Sequence, residues 1–150
     1  MYEELLAQAP LFQDLSRREL AWLGDACRER EYAPGDVLVR QGGGGVGLFI
    51  LTSGSVRITA RQENGEGAER EIGVVGSGAV VGERALLEDG PSAASVTAVE
   101  ASRTLVLRTW DFEVTLREYP DLAIHLLTIL SQRLHEAHAS LRGDDEEDRR

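Results

Sequence analysis

The chain has 150 residues, 42% hydrophobic and 28% charged, an ordinary balance for one soluble domain large enough to bury its own core. Twenty-six acids against sixteen basic residues, all of them arginine, leave a net charge of −10, which speaks against a nucleic-acid surface because phosphate contacts need a clustered positive footprint. No apolar run approaches the roughly 20 residues of a membrane span; the acidic opening Met1-Tyr2-Glu3-Glu4 is unlike a signal peptide, and the single Cys27 excludes an internal disulfide, so a cytoplasmic protein is expected.

To about residue 30 the chain reads as helical. Ser16-Arg17-Arg18-Glu19 is a capping box, in which serine and glutamate each satisfy an orphan backbone N–H of the first turn, and Leu20, Leu23, Ala26 and Cys27 follow at helix spacing. Pro10-Leu11-Phe12 reads as a connection between two short helices. Cys27 lies on the apolar stripe, where a buried, inert thiol is expected.

From about 32 to 108 the pattern changes to short β-prone segments at 37–39, 48–51, 56–60, 71–75, 95–99 and 103–108. Turn signals separate them: Pro34-Gly35-Asp36, the glycine run 42–45, Ser53-Gly54, Asn64-Gly65-Glu66-Gly67 and Gly76-Ser77-Gly78. Many short strands with frequent glycine turns predict an antiparallel sandwich or jelly-roll barrel, and an open α+β sheet fits the same pattern nearly as well. Four consecutive glycines predict a mobile loop rather than a fixed wall.

The last zone is helical again. Thr109 is placed as the cap of a helix starting near Trp110, and Tyr119-Pro120-Asp121 breaks it, because the residue before proline disfavours the helical region. A longer helix then spans about 122–141. Leu127, Leu130, Leu134, Ala137 and Leu141 form a heptad-like stripe, which fits packing against the barrel as well as a homodimer seam. Residues 1–142 are taken as the folded domain and 143–150 as an acidic, disordered tail.

Catalytic chemistry finds no support. The three histidines, His125, His135 and His138, all fall on the last helix rather than on strands, so no metal site is expected. There is no Gly-x-Ser-x-Gly motif, and Cys27 has no evident histidine partner. No catalytic residue is assigned, and the chain is not expected to be an enzyme.

The segment 81–96 reads Val-Gly-Glu-Arg-Ala-Leu-Leu-Glu-Asp-Gly-Pro-Ser-Ala-Ala-Ser-Val. A glycine and a glutamate open a short helix-forming run, and a proline leads into small residues. That places a helix N-terminus against a loop of free backbone N–H groups, which suits an anion, with Glu83 free to accept hydrogen bonds from sugar hydroxyls. The segment resembles the phosphate-binding cassette of cyclic-nucleotide-binding domains: Gly-Glu-x-Ala-Leu, a loop, then Pro-Arg-Ala-Ala-Thr/Ser-Val. Residues 32–42 are similar to the opening hairpin of that family and 48–58 to its next two strands. Glycines 35, 42, 54 and 82 fall where the family uses them, at tight turns.

The resemblance implies a mainly β fold with flanking helices, a double-stranded β-helix (jelly-roll) barrel with N-terminal helices and a C-terminal helical lid. It implies a cyclic nucleotide, cAMP or cGMP, held between barrel and cassette. Gly82, Glu83 and Ala85 would contact ribose and phosphate, Ser92, Ala93 and Ser95 would line the phosphate, and residues 127–134 would form the movable lid. Two departures matter. The loop 42–47 lacks the acidic residues family members often carry there, and Ser92 stands where the family has the arginine that pairs with the cyclic phosphate.

Losing one partner of a buried charge pair costs about 2–5 kcal/mol, on the order of thirty- to several-thousand-fold in affinity. Arg84 is a weak substitute, since consecutive helical side chains diverge and it points outward if Glu83 points in. Two functional readings follow. One is a stand-alone ligand-sensing regulatory module with weak or altered cyclic-nucleotide binding; the other is a degenerate domain that binds no nucleotide and serves as a protein-interaction scaffold. Family members that regulate transcription carry a helix-turn-helix after the long helix, whereas here only the largely acidic residues 142–150 follow. Output through a protein partner or through self-association is therefore expected, with no membrane and no nucleic acid.

Overall fold

The computed structural model describes residues 1–62 and 67–148, with side chains as far as Arg142. The described residues form eight strands: β1 (Arg28–Tyr32), β2 (Val37–Val39), β3 (Gly47–Ser53), β4 (Ser55–Ala60), β5 (Arg70–Gly76), β6 (Val80–Val81), β7 (Ser95–Ala98) and β8 (Ser102–Arg108). They pair antiparallel in two four-stranded sheets, ordered β1-β8-β3-β6 and β2-β7-β4-β5. Consecutive strands such as β3 and β4 enter opposite sheets, which is the jelly-roll arrangement and not the open sheet. The turn expected at residues 64–67 falls largely outside the described residues.

Two of the strands were not legible as strands. β1 carries Arg28-Glu29-Arg30-Glu31, all exposed, and buries only Tyr32, as suits an edge strand that water reaches on one side. β6 is two residues long and has no periodicity to read.

The two sheets bury a common core. Alternation along the strands turns Phe49, Leu51, Val56, Val96, Ala98 and Val106 inward, where they cluster with Tyr32, Leu38 and Val81. On β3 and β8 the other parity is buried as well: Leu48, Ile50, Leu105 and Leu107 are almost wholly inaccessible. A strand covered on both faces needs an unbroken apolar run, and Leu48-Phe49-Ile50-Leu51 supplies one.

The N-terminal helices are α1 (Glu3–Leu6) and α2 (Arg17–Asp25). The capping box at α2 is formed: the Glu19 N–H donates to Ser16 Oγ at 3.2 Å, and the Ser16 N–H donates to the Glu19 carboxylate at 2.9 Å. Leu6, Phe12 and Leu23 are fully buried, and the rings of Phe12 and Phe112 lie 6.0 Å apart. The Cys27 thiol donates to the Leu23 carbonyl at 3.3 Å, and burial pushes its pKa up to about 12, in keeping with an inert thiol.

The C-terminal helices are α3 (Thr109–Glu118) and α4 (Pro120–Asp148). By its contacts the chain divides into two units, the first ending at Thr115 and the second beginning at Leu116. In the second unit the buried stripe is Leu122, Leu126 and Ile129. Three residues of the expected heptad stripe lie on a different face of the helix: Leu127, Leu134 and Leu141 are 69%, 60% and 62% exposed. The backbone of α4 is helical as far as Asp148.

Candidate functional site

The cassette begins where β6 ends. Gly82 adopts φ +78°, and a Cβ there would sit 2.3 Å from the Gly47 carbonyl oxygen, so the backbones approach more closely than any side chain permits. The short helix-forming run expected here is a single 3-10 turn, Glu83–Leu86. One turn is too short to supply the dipole of a helix N-terminus, so that source of anion attraction is largely missing.

The glycine loop is a wall, against the expectation of mobility. Gly42 donates its N–H to the Ser92 carbonyl at 2.8 Å, and the Ser92 N–H donates back to the Gly43 carbonyl at 2.9 Å. Gly44 forms an antiparallel bridge with Pro91, and a Cβ on Gly45 would come within 2.5 Å of the Ala85 Cβ. Close packing on the cassette requires glycine at position 45, and the loop is stitched to the cassette by main-chain bonds.

Between loop, cassette and inner sheet lies a cavity of 610 Å³. Its apolar wall includes Val39, Ile58, Val81 and Val96, and five of the six residues named from sequence line it: Gly82, Glu83, Ala85, Ser92 and Ala93. Ser95 does not. It precedes the inward Val96 on β7, so its side chain lies on the outer face, where its hydroxyl accepts the Gln41 N–H at 2.8 Å. Ser92 turns its hydroxyl onto its own loop, donating to the Ala94 carbonyl at 2.8 Å.

Charge in the cavity is the reverse of what a cyclic phosphate asks for. Glu83, Glu88 and Asp89 line it against the single guanidinium of Arg84. Arg84 is itself 85% exposed and paired with Glu88 at 2.8 Å. Arg57 and Arg103 are engaged elsewhere, with Glu71 at 2.5 Å and Glu31 at 3.1 Å. Among the described residues no group of three or more His, Cys, Asp or Glu side chains comes together as a metal site would require.

Two contacts at the site were not readable from sequence. The Glu83 carboxylate, expected to accept from sugar hydroxyls, accepts the backbone N–H of Leu11 at 2.9 Å, a partner 72 positions away. Thr109, expected to cap its own helix, instead donates its hydroxyl to the Ala85 carbonyl at 2.9 Å and its N–H to the Val46 carbonyl at 3.0 Å. It fastens the start of α3 to the cassette and the glycine loop together.

Residues 29–119, from β1 through the whole of α3, match the family model for the cyclic nucleotide-binding domain. The chain belongs to the cyclic nucleotide-binding domain family. It is 33% identical over 133 residues to the cyclic AMP receptor protein of Thermus thermophilus, a match that covers 89% of this chain and 61% of that protein. Among solved structures, the N-terminal domain of a transcriptional regulator from Streptomyces coelicolor A3(2) superposes with TM-score 0.75 at 31% identity, over 89% of this chain and 94% of that one. The regulatory subunit of a cAMP-independent protein kinase A from Trypanosoma brucei, as a triple mutant that includes a threonine-to-arginine change and is bound to cAMP in the A site, gives TM-score 0.65 at 29% identity over 93% and 50% of the two chains. The chain spans about three fifths of the length of the Thermus thermophilus relative.

Proposed function

We propose that this domain is a small ligand-sensing regulatory module that takes cAMP or cGMP weakly. The observation that carries the proposal is a preformed cavity lined by Ser92, whose hydroxyl donates to the Ala94 carbonyl, beside three carboxylates. Gly82, Glu83 and Ala85 are assigned to ribose and phosphate, Ser92 and Ala93 to the phosphate rim. Residues 127–134 of α4 are assigned as the moving lid. The relative described as cAMP-independent, seen with cAMP once mutated to gain an arginine among other changes, supports the weight placed on a missing guanidinium. No catalytic step is assigned. Output is assigned to a protein partner or a second copy in the cytoplasm, and a net charge of −10 disfavours nucleic acid.

The second reading, a scaffold that binds no nucleotide, is favoured by the acidic cavity lining together with the exposed leucines of α4. Calorimetric titration with cAMP and cGMP separates the two. Dissociation constants of tens of micromolar or weaker fit the sensor. Submicromolar binding would refute the argument from Ser92, and absence of heat in both titrations would select the scaffold.

A further inference from the structure

A second cavity, of 680 Å³, lies on the outer face of the sheet that contains β2 and β7. Its floor includes Thr97 and Ser95, whose side chains point away from the core because Val96 and Ala98 point into it. Its rim carries two guanidiniums, Arg40 and Arg61.

The rim is built. The Gln41 side chain bridges to the opposite side of the cavity with two bonds: Oε1 accepts the Arg61 N–H at 2.7 Å, and Nε2 donates to the Arg61 carbonyl at 3.0 Å. The Gln41 N–H is in turn held by Ser95 Oγ at 2.8 Å. The backbone of Arg61 is thereby tied to Gln41, the neighbour of Arg40. Glu69, the one carboxylate in the lining, already accepts the Thr59 hydroxyl at 2.6 Å.

Among the described residues Arg40 and Arg61 form no ion pair, although acids outnumber arginines twenty-six to sixteen. Two exposed guanidiniums in the lining, with the hydroxyls of Ser95 and Thr97, in a cavity of small-molecule size, match a ligand bearing several negative oxygens.

We propose that this outer groove is a second ligand site, for a small multivalent anion bearing phosphate or carboxylate groups. It does not depend on the nucleotide reading of the inner cavity. Pro91, Ser92 and Ala93 line both cavities, so the two sites share a wall.

The test is an amide chemical-shift titration at constant ionic strength, with inorganic pyrophosphate in one arm and citrate in the other. Saturable shifts at Gln41, Arg61, Ser95 and Thr97, with a dissociation constant on the order of 1 mM or tighter, support the site. The arm that saturates at lower concentration identifies phosphate or carboxylate as the preferred chemistry. The double variant R40Q/R61Q should bind at least about tenfold more weakly. R40K/R61K, which keeps the charge and tests whether the exchange itself disturbs the fold, should retain most of the binding. Q41A should weaken binding several-fold at unchanged charge. The proposal fails if neither anion saturates, if R40Q/R61Q binds as the parent does, or if the shifts centre on residues 82–85 of the inner cavity.

Discussion

Replacing Ser92 by arginine tests the nucleotide site at the atom where it departs from its family. The loop should survive, because the bonds that hold it to Gly42 and Gly43 use the Ser92 main chain and only the hydroxyl bond to Ala94 is lost. That bond is worth roughly 0.5–1.5 kcal/mol of stability. Against it, a guanidinium meeting a partly buried cyclic phosphate gains about 2–5 kcal/mol in binding. Glu83, Glu88 and Asp89 will compete for the new side chain, and each such exposed pairing offsets up to about 1 kcal/mol. The lower half of the range is therefore expected, near 2–3 kcal/mol, or about thirty- to a hundredfold tighter cAMP or cGMP. Calorimetry on Ser92→Arg beside the parent measures this, and added salt should shrink the gain. Adding Glu83→Ala should remove roughly 1–3 kcal/mol of it through the lost sugar contact. A folded Ser92→Arg protein with no gain would refute the reasoning: the cavity would then be closed to nucleotide, and the scaffold reading preferred.

Gly82→Ala should lose about 2–6 kcal/mol of stability, from a left-handed backbone plus a Cβ driven into the Gly47 carbonyl; a loss under about 1 kcal/mol in urea unfolding would contradict the close approach. Alkylation of Cys27 by iodoacetamide in the native state should be slow at pH 8 and speed up only as pH approaches 12; a rate like that of a free thiol would show the burial is wrong. The same raised pKa sets a sign for stability. The neutral thiol is favoured by folding, so this contribution is present below the ordinary value of 9.0 and is lost as pH rises from there towards about 12, which alkaline unfolding of the parent and Cys27→Ala compares. Sedimentation should find a dimer through α4 that Leu134→Arg dissociates without unfolding; a monomeric parent at high concentration would remove the exposed stripe as an interface.

How far the sequence could be read follows from the range of the interactions. The capping box is complete within four residues, and it formed as written. The glycines at 35, 42, 54 and 82 signalled turns, and all four have positive φ. Strand β3 announced itself by an unbroken apolar run, while β1 hid behind alternating charges because edge position, a property of the whole sheet, licensed them. At the site, Gly82, Glu83, Ala85, Ser92 and Ala93 were found together because they belong to one local segment. The glycine loop was misjudged for the opposite reason: glycine's freedom is local, but the bonds from Gly42 and Gly43 that remove it reach to Ser92. Ser95, named with them, falls on the outer face by the period of two on β7.

The bond from the Leu11 amide to Glu83 gives the cassette glutamate a second employment. Remove every nucleotide from the cell, and replacing Glu83 would still strip an acceptor from the backbone of the N-terminal segment. Selection for folding alone would therefore hold the Gly-Glu pair in place after selection for ligand had lapsed. Residue 92 is held differently: its bonds to Gly42 and Gly43 run through the main chain, and its hydroxyl reaches only the neighbouring Ala94. Of the two positions, the glutamate is therefore the one that folding by itself constrains across the chain.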